Sequence, residues 1–245
     1  LGLLHEKGRI NVQKVAIMVD GGFFQKRYAT IVKGEHSAKD VAGFLVKYCQ
    51  RHAAVSDVED EPVVLYRIFY YDCMPSSKII FNPLTGKSEE LGKTEQYKWM
   101  NDFFQELKRK RKVAIRRGVL SDDSVKYTFK LDAVNRVIAG IKSGKKVDID
   151  QKDLTINIKQ KGVDMRLGLD IASLAYKKQV DKIILIAGDS DFVPAAKLAR
   201  REGIDFVLDP MWNKVKDDLF EHIDGLKTHQ DLLPRPFRCE KAFSK

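Results

Sequence analysis

Cysteine is scarce in this chain of 245 residues: Cys49, Cys73 and Cys239 are its three, odd in number and far apart. No two of them have zinc-ligand spacing, and a dispersed odd set builds no disulfide framework. Reduced thiols in a cytoplasmic protein are the expectation. Long apolar runs are missing too. The longest, Val15 to Val19 and Ile183 to Ala187, have five residues each, against roughly 20 for a bilayer-spanning helix. Leu1-Gly2-Leu3-Leu4 gives way at once to His5, Glu6 and Lys7, too short for the apolar core of a secretory signal. An integral membrane protein is thereby excluded as a reading of the sequence. Several catalytic signatures are absent as well. There is no Gly-x-Ser-x-Gly elbow, no Walker glycine loop and no His-Glu-x-x-His pair, and none of the five histidines lies at ligand spacing from another. No internal repeat of solenoid or propeller length is visible.

Positive charge, by contrast, is plentiful. Lys and Arg number 44 against 34 Asp and Glu, a net charge of +10. Such a field draws polyanions, nucleic acid first among them. With 44% hydrophobic and 32% charged residues, the composition is that of an ordinary globular protein with a sizeable core.

Val15 to Val19 is a continuous apolar run, as a strand buried on both faces requires, and it stops at the turn signal Asp20-Gly21-Gly22. A helix is expected over 38–53, a strand over 63–71 and a turn-forming stretch over 75–92. A further helix over 94–110 leads into a strand at 113–119. Between 120 and 160 the pattern loosens into two half-exposed strands (126–130 and 154–159) and a short helix (131–141), which reads as an insertion on the domain edge. Order returns with a helix over 164–178, a strand at 182–187, a helix over 192–202, a strand at 204–208 and a last helix over 214–226. Strands alternating with helices of this length predict an α/β fold: three layers, α/β/α, around a mainly parallel sheet. One domain over 1–232 and a basic tail over 233–245 complete the expected organisation.

In such a sheet the working site lies beyond the carboxyl ends of the strands, and aspartate recurs there. Asp20 follows the first strand, Asp72 the second, Asp189 and Asp191 the run Ile183–Ala187, and Asp209 the next, while Asp164 opens a helix. Any one of these has a helix-capping explanation. Several on one edge would repel unless a cation or shared protons compensate. Mg²⁺ and Mn²⁺ prefer such oxygen donors, and paired ions of this kind cleave phosphodiesters without a protein nucleophile.

Three stretches carry a family resemblance. Val15-Ala16-Ile17-Met18-Val19-Asp20-Gly21-Gly22-Phe23-Phe24 is similar to the opening motif of NYN domains, which belong to the PIN-like nucleases, in the bacterial branch that includes the LabA-like proteins. Lys161-Gly162-Val163-Asp164, continuing to Asp170, resembles that branch's helix motif, and Ile184 through Pro194, with Gly188-Asp189-Ser190-Asp191 at its centre, its third signature. The resemblance covers roughly 15–75 and 160–226. It implies a metal-dependent ribonuclease with Asp20, Asp164, Asp189 and Asp191 as catalytic and metal-binding positions, Asp170 as a further acidic position, and Mg²⁺ or Mn²⁺ as cofactor. At about 100° per residue Asp170 points about 120° away from Asp164 on a regular helix. Asp72 and Asp209 match no motif and read as structural. One departure is that Phe23 or Phe24 stands where many family members carry Asn.

RNA is the expected partner, and a homo-oligomer is compatible with the sequence. Residues 108–117 hold seven Lys or Arg and no acid, either a solvated helix end or a phosphate track that includes Arg116 and Arg117. Lys161, three residues before Asp164, is a candidate to meet a phosphate, and Ser190, between Asp189 and Asp191, either donates to a phosphate oxygen or holds the turn. Tyr71, at the end of Phe69-Tyr70-Tyr71, suits either base stacking or the core. The competing reading is a non-catalytic nucleic-acid or protein-interaction module that keeps the fold. A haloacid-dehalogenase-type phosphatase fails because Gly22 occupies the second position of the Asp-x-Asp pair it requires.

Overall fold

The computed structural model describes residues 12–54, 62–121, 125–158 and 160–236. In chain order the elements are β1 (Gln13–Asp20), α1 (Gly21–Ile31), α2 (Ala38–Ala53), β2 (Val63–Asp72), β3 (Ile79–Asn82), β4 (Lys87–Glu90), α3 (Glu95–Lys108), β5 (Val113–Arg117), β6 (Val119–Leu120), β7 (Lys126–Phe129) and α4 (Leu131–Lys142). They continue with β8 (Leu154–Asn157), β9 (Gln160–Lys161), α5 (Val163–Tyr176), β10 (Lys182–Ile186), α6 (Val193–Arg201), β11 (Asp205–Asp209), α7 (Asp217–Phe220) and β12 (Gly225–Leu226). They form two compact units, one divided between Cys73–Asp102 and Gly118–Gly162 and the other containing the rest.

The larger unit is a three-layer α/β/α fold. Among the described residues its sheet has six strands in the order β12-β11-β10-β1-β2-β5, and every neighbouring pair is parallel. Val15–Val19 and Ile183–Ile186 are almost wholly buried, as continuous apolar strands covered on both sides must be. Tyr70 and Tyr71, consecutive on β2, point to opposite faces and identify the two helical layers. Tyr70 meets Phe103 and Phe104 of α3 and bonds Gln25 of α1; α2 joins this layer through Phe44, 4.9 Å from Tyr28 of α1. Tyr71 bonds Asp170 of α5, and α6 packs beside α5 on that opposite face. Right-handed crossovers require this division: β1–β2 and β2–β5 step one way along the sheet, β5–β10 and β10–β11 the other. Burying a ring such as Phe103 or Phe104 contributes about 1.5–3 kcal/mol each.

Three sequence expectations are corrected here. A helix starts directly at Gly21, where the two glycines read only as a turn. The expected last helix over 214–226 shrinks to the single turn α7, and the chain then adds β12 to the sheet, with Gly225 and Leu226 beside Val207 and Leu208. The stretch 75–92 contains a hairpin, β3 with β4. That hairpin belongs to the second unit together with the segment read as an edge insertion. The second unit has the antiparallel pairs β7–β8 and β6–β9, the helix α4, and a small core of Ile80, Leu91 and Val125 against Tyr127 and Ile156. Its polar centre is Asn82, buried, whose amide donates to Glu89 and Gln151.

Asp209 closes β11 in a saturated pocket. It accepts from Tyr48 Oη (2.5 Å), Thr228 Oγ1 (2.6 Å), the Met211 amide (2.8 Å) and His52 Nε2 (2.8 Å). Leu233 is buried and its carbonyl accepts from Trp212 Nε1; of the expected basic tail, residues 237–245 lie outside the described residues. Among the described residues no helix is long and apolar enough to cross a membrane.

Candidate active site at the strand ends

Sheet topology locates the site before any side chain is considered. β1 and β10 are neighbours, yet the chain leaves β1 toward one edge of the sheet and β10 toward the other. Loops diverging in this way open a crevice at the carboxyl ends of the two strands. Asp20 is the last residue of β1, and Asp189 stands three residues beyond the end of β10. Both lie at that switch point.

Each is fixed by its own backbone. The Asp20 side chain caps α1 by accepting from the Phe23 amide at 3.1 Å, which satisfies one orphan donor of the first turn. Gly21 is required next: a Cβ there would stand 2.6 Å from Tyr70 Oη and 2.7 Å from Asp72 Oδ2. Asp189 accepts from the Asp191 amide at 3.3 Å and so caps the 3₁₀ turn Ser190–Phe192. Phe192 is buried as its anchor, and a proline in the first turn of α6 continues the chain. Gly188 is in contact with the Phe23 ring, 2.3 Å from where a Cβ would be. Phe23 therefore seals the first motif against the third.

α5 brings the remaining carboxylate, with Asp164 in its first turn. The charges feel one another. Burial, with Asp164 and Asp72 adding repulsion, pushes the Asp20 carboxyl up to about 6, against the capping hydrogen bonds that pull it down. Asp164 is raised by burial and by Asp191 and Asp189. Asp20, Asp72, Asp164, Asp189 and Asp191 thus share one electrostatic environment. Asp72, read from sequence as structural, is its unexpected member: buried, it accepts from Tyr70 Oη (3.1 Å) and Gln25 Nε2 (3.3 Å) and borders Asp20. The signal available in the sequence was its place at the end of the second strand, just as Asp20 ends the first.

Other candidates are placed elsewhere. Asp164 lies within the regular helix, so the six-residue offset turns Asp170 away, to Arg116 Nε (2.8 Å) and Tyr71 Oη (2.9 Å). Tyr71 is fully buried, which settles its choice between stacking and core in favour of the core. Arg117 lies over the Phe104 ring. Ser190 Oγ accepts from Lys216 Nζ at 3.0 Å, which puts a cation beside Asp189 and Asp191 that the sequence reading missed. Lys161 is exposed on β9, opposite Val119.

A divalent cation is the group that this family would bring. The donor set is all carboxylate, the chemistry of Mg²⁺ and Mn²⁺, and the raised pKa values of Asp20 and Asp164 mark charges that a cation offsets. Among the described residues no three His, Cys, Asp or Glu side chains converge tightly enough to hold a metal ion. The residues fit the ion in kind.

Fold and site together define a parallel α/β protein with an acidic crevice at its switch point. The family profile described as NYN domain matches residues 89–221, and the chain belongs to that family. The match takes in the second and third motifs and also 89–159, which the motif reading left aside; Asp20 precedes it. Among curated proteins, none matches the chain. A similar solved structure is that of a protein of unknown function, VPA0982, from Vibrio parahaemolyticus RIMD 2210633, at 12% identity over 90% of this chain and 95% of that one, with a TM-score of 0.44. At that score the likeness carries no inference.

Proposed function

We propose that this protein is a metal-dependent ribonuclease of the PIN-like kind, hydrolysing RNA phosphodiester bonds at the switch-point crevice. The observation that carries the reading is the gathering of carboxylates there, where burial first and then the neighbouring Asp164 and Asp72 charges push Asp20 up to about 6. A binding-only module gains nothing from negative charge facing phosphates. Asp20, Asp164 and Asp189 are the residues that would hold Mg²⁺ or Mn²⁺, with Asp191 beside them. Such an ion lowers the pKa of the attacking water and offsets charge building on the phosphoryl oxygens. The chain's own contributions are positional. Asp20 and Asp189 are oriented by the amides they cap, Phe23 and Gly188 hold the two motifs together, and Lys216 and Ser190 offer a cation and a hydroxyl to a phosphate oxygen. The LabA-like placement and the preference for RNA over DNA rest on the motif resemblance. A cytoplasmic setting agrees with Cys49 and Cys73, both buried free thiols.

Labelled single-stranded RNA and DNA incubated with the protein and with Asp189→Asn, in Mn²⁺, Mg²⁺ or EDTA, test this. Expected is RNA cleavage that needs metal and disappears in the variant. RNA binding without cleavage under any metal would instead favour the non-catalytic module, and equal cleavage by the variant would remove Asp189 from the site.

A further inference from the structure

Arg116 and Asp170 lie together in the larger unit, and neither is used by the carboxylate group. Register fixes their distance from it. Asp20, Tyr71 and Arg116 occupy one row across β1, β2 and β5, so two interstrand steps, about 10 Å, separate the Asp20 and Arg116 backbones. Asp164 and Asp170 lie six residues apart on α5, about 9 Å along its axis. Both measures are the reach of a neighbouring nucleotide.

The guanidinium is held from two sides. Its Nε donates to Asp170 Oδ2 at 2.8 Å, and its central carbon stands 5.1 Å from the Phe69 ring centroid. Tyr71 Oη donates to the same carboxylate oxygen at 2.9 Å. A pair whose side chains are 42% and 27% exposed contributes little to stability, so holding the fold together is a poor account of it. What lies beside it is a half-enclosed pocket of about 190 Å³, lined by Tyr66, Arg67, Phe69, Arg116, Ser173 and Gln179. The pocket presents two guanidiniums, two hydroxyls and an amide. Its one carboxylate, Asp170, is already shared between a tyrosine and an arginine. Fixed arginine forks with auxiliary donors are the chemistry that recognises phosphate.

We propose that this pocket is a second phosphate subsite, which takes a phosphate of the same RNA strand one or two nucleotides from the bond at the carboxylates, and that Asp170 is the positioning residue that aims Arg116 into it. This rests on the ribonuclease reading for the identity of the ligand. Asp170 is on this account no metal ligand. Arg67, exposed four residues before Tyr71 on β2, extends the subsite away from the crevice.

Binding of a short fluorescent single-stranded RNA in EDTA, where cleavage does not intervene, is measured against salt for the wild type, Arg116→Gln, Arg67→Gln and Asp170→Asn. Arg116→Gln is expected to lower affinity about 5- to 20-fold and to flatten the slope of log K against log salt by about 0.7, one phosphate contact. Arg67→Gln, altering an exposed side chain, gives the same change in smaller measure and guards against a folding defect in the first variant. Asp170→Asn, which keeps an acceptor for Tyr71, is expected to raise KM more than it lowers kcat and to leave the Mn²⁺ concentration needed for cleavage unmoved. Unchanged RNA affinity in Arg116→Gln overturns the subsite while leaving the ribonuclease reading intact. A shifted Mn²⁺ requirement in Asp170→Asn overturns its positioning role. Inorganic phosphate bound at Arg116 with no change in RNA affinity assigns the pocket to a free anion and overturns the proposal. A wild type that binds no RNA removes both readings together.

Discussion

Asp20→Asn removes one negative charge from the crevice and little else. Asn caps helices as well as Asp does, so the bond from the Phe23 amide survives. A carboxyl that ionises near 6 in the folded chain and near 3.8 unfolded weakens the fold at neutral pH by about 3 kcal/mol, at about 1.4 kcal/mol for each pH unit between the two values. The sign follows from proton affinity: the folded state holds the proton more tightly, so the penalty is complete above about pH 6 and vanishes as pH falls below 3.8. In EDTA at pH 7.5 the variant is therefore expected to be more stable by about 2–3 kcal/mol, or about 4–10 °C in melting temperature for a chain of this size. At pH 4 the gain shrinks below about 1 kcal/mol. Urea titrations at the two pH values, wild type beside variant, measure this difference. Adding Mn²⁺ at pH 7.5 should narrow the gap, because the ion relieves repulsion only where the charge is present. A gain equal at both pH values, or a loss at pH 7.5, would refute the electrostatic account of Asp20.

Gly21→Ala places a Cβ against the buried Tyr70 ring and the Asp72 carboxylate; a loss of about 1–3 kcal/mol is expected in urea unfolding. Asp209→Ala strands four donors, among them Tyr48 and Thr228. It should cost about 3–5 kcal/mol in the same assay, while the folded fraction keeps its RNA affinity. His229 is pushed down to about 4 by burial and by His52, and its Nε2 is buried without a hydrogen-bond partner among the described residues. Its folded value lies below the unfolded 6.5, so its contribution is whole above pH 6.5 and is lost as pH falls toward 4. His229→Phe should accordingly reduce the acid loss of stability over that window by about 2–3 kcal/mol, read from denaturation midpoints across pH.

Much of the sheet was legible because its strands are apolar without alternation. Val15–Val19 and Ile183–Ile186 could be placed, and with them the carboxylates that follow. The helix at Gly21 was not, because its start is set by tertiary contact: the glycine is there for want of space beside Tyr70, and the cap comes from the residue that also serves the site. β12 escaped because two residues carry no periodicity. The hairpin at 79–90 escaped because its strands face solvent on alternate positions and its core is shared with residues far along the chain. Asp72 was passed over for lack of a motif, although strand adjacency, which sequence does not display, makes it a neighbour of Asp20. The resemblance offered Asp170 as a further acidic position, and helix geometry let it share a face with Asp164 only if Asp164 lay outside the regular helix; Asp164 lies in the first turn of α5.

The adjacency of β1 and β10 also has a temporal side. Val15 and Lys182 face each other across one ladder, so the crevice has no second wall until the chain beyond Asp191 has left the ribosome. Non-local pairings of this kind form late. Until then Asp20 lies on a strand whose ladder partner is β2 alone, and the ribonuclease proposed above is unassembled while its own message is being read. Truncation anywhere before β10 yields a fragment without the crevice, and for the ribonuclease proposed above that order of assembly is itself a safeguard.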